Sequence, residues 1–525
     1  MKHVYSRIFF AVAALFISLT LVSCASAPKV KPFTLKPLKV ENAAQGKSFW
    51  RDQVQYPFAV KYAKAKDSKG IEWEVAYMDE YYGLEPNPKV LVLIHGKGSF
   101  GGDFGYVMKV ALENGLRVIV PDLPHFGKSI PGNIDKPLSR SLQDTREVIN
   151  NIVVKQLGVK KATYLGHSLG AQWVLGYALT YPDAVEKIIL ESPALEEYLT
   201  QFKIGGQDVP FFNDSLKDWK VWEKSGAWVN LMNLEFAHDE AFWKNFCYFK
   251  AKNPKTGQFE PSKYGFFYND TEYARYYVDV IVKLIADKRE YRNYCLEAVR
   301  DIYSLGVEVR IEDTNSLNKK AVNIKAPIYL TYGEKDPFMP TRISGKSNLK
   351  WEIVKPFYDK MKKAGNAPVI KFYAGAGHFI HTDVPDEYAQ DVVRIVLRDS
   401  ISGPVEDVSN YVAPGVKAPE DIQAFFDQFR KDILTKDMKK IEPHYAANFK
   451  ERGYDRTAFL GALPGTLGFV NDYAIKLTKC EPDAKNPNVV YLDGSVNLGG
   501  MVVPMPEGYQ IIKEDGKWKW NGNQK

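Results

Sequence analysis

"ATYLGHSLGAQWVLGYALTYP", residues 162–182, is the stretch on which the reading of this chain turns. Ala162 to Leu165 has the composition of a short buried strand, and from Leu169 to Tyr181 the apolar residues recur as in a helix. Between them stands Gly166-His167-Ser168-Leu169-Gly170, a serine framed by glycines at a strand-to-helix corner. A sharp, strained turn of this kind lifts the serine hydroxyl clear of the sheet, and only small neighbours leave it room.

The elements around this corner alternate. Strand-like stretches at 54–63 and 71–78 precede "KVLVLIHG" (89–96), a helix near 103–114, "LRVIVPD" (116–122) and a long helix over roughly 139–157. "EKIILESP" (186–193) follows, then a long insertion. The pattern resumes with "APIYLTYGEKD" (326–336), a helix near 350–364, "VIKFYAGAGH" (369–378) and a last helix near 385–398. Such alternation predicts an α/β fold with a mostly parallel sheet covered on both faces, whose chemistry collects where the strands end. Two further strand ends carry suitable groups: Asp336 closes "GEKD" and His378 closes "GAGH". A serine hydroxyl is a weak nucleophile. It needs a base, His378, to take its proton and a carboxylate, Asp336, to fix the imidazole tautomer. The backbone N–H groups of Lys97 and Leu169 are the expected donors to a developing oxyanion.

On the marks "HGKG", "VPDLPHFGKS", "GHSLG", "YGEKD" and "GAGHF" the chain resembles the lidded α/β-hydrolases over residues 54–400. The resemblance implies Ser168 as nucleophile, His378 as base and Asp336 as acid, with Glu191 as the rival acid after an earlier strand. A serine at the nucleophile position weighs against the aspartate-nucleophile branches. The family stretch reads Gly where this chain has His125, which unsettles the pocket rim there. His167 and His95 are expected to shape turns, and His381 and Asp383 to lie on the rim. The insertion, about 196–320, is the expected lid; it carries 23 aromatic residues between 201 and 305, well above the 13% of the whole chain. Most of those rings are expected to pack the lid's own core and the rest to wall an apolar pocket.

Lys2 and Arg7 precede "IFFAVAALFISLTLV", too short for a comfortable membrane span, which ends in Leu21-Val22-Ser23-Cys24. This resembles a bacterial lipoprotein signal, which implies removal of residues 1–23, lipid on Cys24 and, with Ala25 next, the outer membrane. Residues 24–53 are then the anchor and tether. The formal charge is +7, or +5 without the first 23 residues, and the lysines are scattered, which disfavours a nucleic-acid partner. Cys247, Cys295 and Cys480 remain, with a pair between the first two left open. Neither cysteines nor the eight histidines stand at metal-ligand spacing, so no metal or other cofactor is expected.

Residues 401–420 break periodicity and read as a linker. Beyond them Ile422, Phe425, Phe426, Phe429 and Ile433 recur at helical spacing, and a second helical piece holds Tyr445, Phe449 and Phe459. Strands at 472–479, 488–497, 501–512 and 516–521 follow. Helices before strands resemble the cone-shaped fold of nuclear transport factor 2 and ketosteroid isomerases, which makes 421–525 an accessory module capable of self-association. The whole reads as a lipid-anchored serine hydrolase, a carboxylesterase for a small ester with an apolar or aromatic part. A carbon–carbon bond hydrolase of ring-cleavage type, or a non-catalytic binding lipoprotein, are the alternatives.

Overall fold

The structure, a computed structural model, describes residues 34–524 apart from 138–140, 198–201, 205–206, 210–223, 225–231, 234, 248–249, 253–258, 262–264, 310–315, 342–343, 345, 347, 409–410, 412–415, 469 and 499–500. Cys24 and its signal segment lie outside the described residues, as do parts of the insertion.

The main sheet has eight strands: β1 (Val60–Lys66), β2 (Glu72–Glu80), β3 (Val90–Ile94), β4 (Arg117–Pro121), β5 (Ala162–His167), β6 (Val185–Glu191), β11 (Ile328–Gly333) and β12 (Val369–Tyr373), in the order β1-β2-β4-β3-β5-β6-β11-β12. Only β2 runs against its neighbours; every other pair is parallel. Every residue of β3, β5 and β11 is buried. Their unbroken apolar runs are what a strand covered on both faces needs. The covering helices are α1 (Gly105–Glu113), α2 (Leu142–Asn150), α3 (Leu169–Thr180), α6 (Lys355–Lys363) and α7 (Pro385–Arg398). In α3 ten of twelve residues are buried, because the helix is apolar nearly all round and packs against β5, β6 and α2. Among its described residues the insertion contributes two antiparallel strand pairs, β7 (Phe202–Ile204) with β8 (Gln207–Val209) and β9 (Lys250–Lys252) with β10 (Phe259–Pro261), and two long helices, α4 (Glu272–Leu284) and α5 (Lys288–Val309).

Two boundaries differ from expectation. Residues 40–53, assigned to the tether, belong to the hydrolase core: Val40 bridges Val54, Phe49 and Trp50 are buried, and Glu290 of α5 accepts from Ser48 Oγ and from the Trp50 amide. Five residues of helical turn, Phe49–Gln53, are too short for a periodic signal. The linker begins late in the same way. The Glu406 amide donates to Ile370 O at 2.8 Å, and Val408 and Tyr411 are buried in the same core.

After it come α8 (Glu420–Leu434), β13 (Tyr445–Glu451), β14 (Tyr454–Asp455), α9 (Arg456–Leu467), β15 (Tyr473–Pro482), β16 (Val489–Leu498), β17 (Met501–Pro504), β18 (Gln510–Glu514) and β19 (Lys517–Gly522). These strands form a second sheet, β14-β13-β19-β18-β16-β15 with β17 on β16, over a separate core of α8 rings packed on Trp520 and Tyr473. Tyr445 and Phe449, expected on a helix, lie on β13, which pairs parallel with β19. A four-residue spacing shares a face in a strand as well as in a helix, so the spacing alone misleads. Lys476 of β15 reaches Glu352 at 2.7 Å and sits over the Trp351 ring, joining the second sheet to the hydrolase part.

A chain cut after Ser402 loses the burial of Val408 and Tyr411. At about 1.5–3 kcal/mol per buried side chain, its unfolding free energy should fall by roughly 3–6 kcal/mol relative to a chain cut after residue 415. Urea titration of both truncations checks this; equal midpoints would mean that residues 403–411 are linker after all.

Candidate active site

Ser168 stands at the junction of β5 and α3 with φ 53° and ψ −116°, a strained backbone for a residue with a side chain. Close approach imposes it. A Cβ on Gly166 would lie 2.1 Å from Gly170 O, and one on Gly170 would lie 2.3 Å from Ile94 O at the end of β3. The Ser168 amide donates to Glu191 O at 2.8 Å, tying the corner to β6. Leu169 opens α3, so its N–H is one of the helix donors without an intrahelical partner, at the positive end of the dipole.

His378 follows β12. Its Nδ1–H donates to Asp336 Oδ2 at 2.8 Å, and Asp336 Oδ1 accepts the Phe338 amide at 2.9 Å. With Nδ1 as donor, Nε2 is left as the acceptor, the tautomer that can take a proton from a hydroxyl. The His378 carbonyl accepts Ser192 Oγ at 2.9 Å and His167 Nε2–H at 3.0 Å, and its amide donates to Phe266 O of the lid at 3.1 Å. His378 is therefore held by the end of β6, the elbow and the insertion together. Phe338 and Phe379 pack beside its ring, and Phe266 stacks on Phe338 at 4.9 Å, giving His378 an aromatic flank.

Lys97 lies in a β-turn, closed by the Ser99 amide donating to Gly96 O at 3.2 Å, with Gly98 at φ 68° in the position that demands a left-handed residue. Gly96 O also accepts His95 Nδ1–H at 3.0 Å, while His95 Nε2 accepts the Leu123 amide. Across a trans peptide the N–H points opposite to the carbonyl, so fixing Gly96 O fixes the direction of the Lys97 N–H.

Glu191 does not serve His378. Both its oxygens bind His381 Nδ1–H, at 2.8 and 3.0 Å, and one also accepts the His381 amide. Asp103 lies 3.9 Å from His381 Nε2 and accepts from Ser99 Oγ. Burial alone would depress this imidazole, but the Glu191 and Asp103 carboxylates outweigh it and raise His381 to about 10. His381 and Asp383, expected on the rim, are thus buried. Asp383 accepts the amides of Gly377, Tyr268 and Asn269 and is pushed up by burial to about 6. The neighbouring His167 is driven well below its ordinary value, chiefly by burial and further by the imidazoles beside it. Glycine-rich motifs advertise the elbow, whereas this second pair has no motif; its only sequence trace is an acid at the end of β6.

His125, at the position where the family reads Gly, has φ 66°. The backbone there is left-handed, and histidine is among the residues that tolerate it. Burial, then the Arg300 charge, lowers its imidazole to about 3; Asn293 of α5 donates to Nδ1 at 3.3 Å, and Trp73 packs edge-on. Cys247 and Cys295 are buried and unpaired.

The profile of the alpha/beta hydrolase fold family matches residues 89–356, just over half of the chain and inclusive of Ser168 and Asp336. The chain belongs to that family. An uncharacterized hydrolase of Bacillus subtilis is 31% identical over 169 residues, 31% of this chain and 57% of that protein. The 2-hydroxy-6-oxo-6-phenylhexa-2,4-dienoate hydrolase of Burkholderia cepacia is 34% identical over 108 residues, 20% of this chain and 36% of that enzyme. The chain thus spans between a third and just over half the length of these relatives. Among solved structures, an esterase from Exiguobacterium antarcticum aligns with a TM-score of 0.42 and 18% identity, covering 63% of this chain and 98% of that one.

Because His381 is raised above its ordinary 6.5, it binds its proton more tightly in the folded state. The resulting stability is complete below pH 6.5 and is lost as the pH rises through about 10. Wild type should therefore lose unfolding free energy over this window, and Glu191→Gln should lose less. Urea titrations from pH 6 to 10 check the difference; parallel curves would show that the pair is not ionised.

Proposed function

We propose that this chain is a serine hydrolase of a small organic substrate with a reactive carbonyl. The observation that carries the reading is the strained Ser168 elbow in a chain whose His378 is oriented by Asp336 at 2.8 Å. Ser168 Oγ attacks the carbonyl carbon while His378 Nε2 takes the hydroxyl proton, and Asp336 stabilises the imidazolium. The negative oxygen is received by the N–H groups of Leu169 and Lys97. As the tetrahedral adduct collapses, the bond to the leaving atom breaks and His378 returns the proton to it. Water, deprotonated by His378, then attacks the acyl carbon; the bond to Ser168 Oγ breaks, Oγ takes the proton back from His378, and the acid leaves.

Of the two bonds such chemistry can cut, a carbon–carbon bond has the better support. The relatives named for 2-hydroxy-6-oxo dienoates hydrolyse compounds whose oxo carbon is bonded to carbon on both sides. The carboxylesterase, first in the sequence reading, takes second place; the aromatic flank of His378 suits an apolar acyl group in either reading. The decisive comparison is kcat/KM on a vinylogous diketone acid against a series of p-nitrophenyl esters. The expected result is the higher value on the diketone, with both activities reduced by at least about 1,000-fold in Ser168→Ala and the fold retained. Turnover near wild type in that variant would remove Ser168 from the reaction.

We further propose lipid attachment at Cys24 and an outer-membrane location, on the strength of the lipoprotein-like segment before it, and residues 421–525 as a self-associating accessory unit of cone type, on the strength of its element order and separate core. Cys24→Ala should leave the protein soluble or as uncleaved precursor, read by fractionation and intact mass. A mature N-terminus at another residue, without lipid, would refute the anchor.

A further inference from the structure

We infer that Tyr277 and Tyr294, one from each lid helix, are positioning residues that set the oxyanion turn. The inference rests on the serine-hydrolase reading above and is indifferent to which bond is cut. Both phenols donate to a single acceptor, Gly98 O: Tyr277 Oη at 2.9 Å from α4 and Tyr294 Oη at 3.1 Å from α5. Both side chains are buried, and burial holds both phenols far above their ordinary pKa, so they remain neutral donors. A carbonyl oxygen has two lone pairs, and here the lid fills both.

The turn carries its own internal restraint, through Gly96 O, on one side of Lys97, and the tyrosines supply the restraint on the other. The tyrosines fix the Gly98–Ser99 peptide plane, and the Ser99 N–H in that plane donates to Gly96 O, which sets the Lys97 N–H. Its ammonium adds a third tie to the lid, pairing with Glu235 at 3.0 Å. Fit is mutual: a Cβ on Gly98 would lie 2.7 Å from Tyr294 Oη, so the turn has no side chain where the lid comes down. Buried tyrosine hydroxyls always seek a partner, and any carbonyl would satisfy that need. Two helices converging on the one carbonyl whose peptide also carries the Ser99 N–H that holds Gly96 O is a more specific arrangement. Seating of the lid and direction of the Lys97 N–H become one event, so the hole is complete only when the lid is down over Ser168.

The test uses a fluorophosphonate, whose P=O oxygen occupies the place of the reacting carbonyl oxygen, on the full-length protein. Tyr277→Phe, Tyr294→Phe and the double variant keep the rings and remove only the donors. In the double variant the maximal labelling rate, kinact, should fall by about 10- to 100-fold while KI stays within about threefold, with smaller losses in the single variants. A purely structural role would not divide the effect in this way, and near-UV circular dichroism checks that the lid is still packed. An unchanged kinact in the double variant, or a loss confined to KI, overturns the inference. Ser168→Ala separates it from the underlying reading: label that persists in that variant overturns the nucleophile assignment, whatever the tyrosines do.

Discussion

At residues 166–170 three backbones pass so closely that no Cβ fits between them: the end of β5, the first turn of α3 and the end of β3. This crowding is the constraint on which the site depends. It forces Ser168 to a positive φ, turns the N-terminus of α3 toward the same point, and sets the end of β3 at Ile94, two residues before the turn that carries Lys97. A methyl group at Gly166 or Gly170 would push these elements apart by an ångström or more, and misplacement on that scale is enough to lose much of a rate that depends on orientation.

The end of β6 does the remaining positioning. Glu191 gives its carbonyl to Ser168 and its carboxylate to His381, and Ser192 reaches back to the carbonyl of His378. Ser168 and His378 are thus referred to one strand end through short contacts. A buried imidazolium there is compensated by Glu191, with Asp103 beyond it, which is the condition under which a buried charge is tolerated. The insertion completes the arrangement. It contributes the Phe266 carbonyl to His378 and side chains to the Lys97 turn, so it is part of the frame rather than a cover laid over it.

Much of this was legible in the sequence, because the residues concerned are forced by local geometry. Glycines flanking a serine, apolar runs of strand length and acid or histidine at strand ends each follow from a short-range need. What escaped depends on distant partners. Glu191 and His381 are 190 positions apart, and nothing near either announces the other. Ser48 and Trp50 looked like tether because their partner, Glu290, lies in the insertion. Tyr445 and Phe449 looked helical because their spacing satisfies both periods. In each case the fold overrode a local pattern through a contact made far along the chain.

The central claim is that Ser168 carries the substrate's acyl group between two half-reactions. Rapid quenching during turnover of p-nitrophenyl butyrate, followed by peptide mass spectrometry, tests it directly. The account predicts a butyryl adduct on the peptide containing Ser168 and on no other, formed before steady state is reached. Hydrolysis of the ester with no adduct, or with the adduct on another residue, would contradict it.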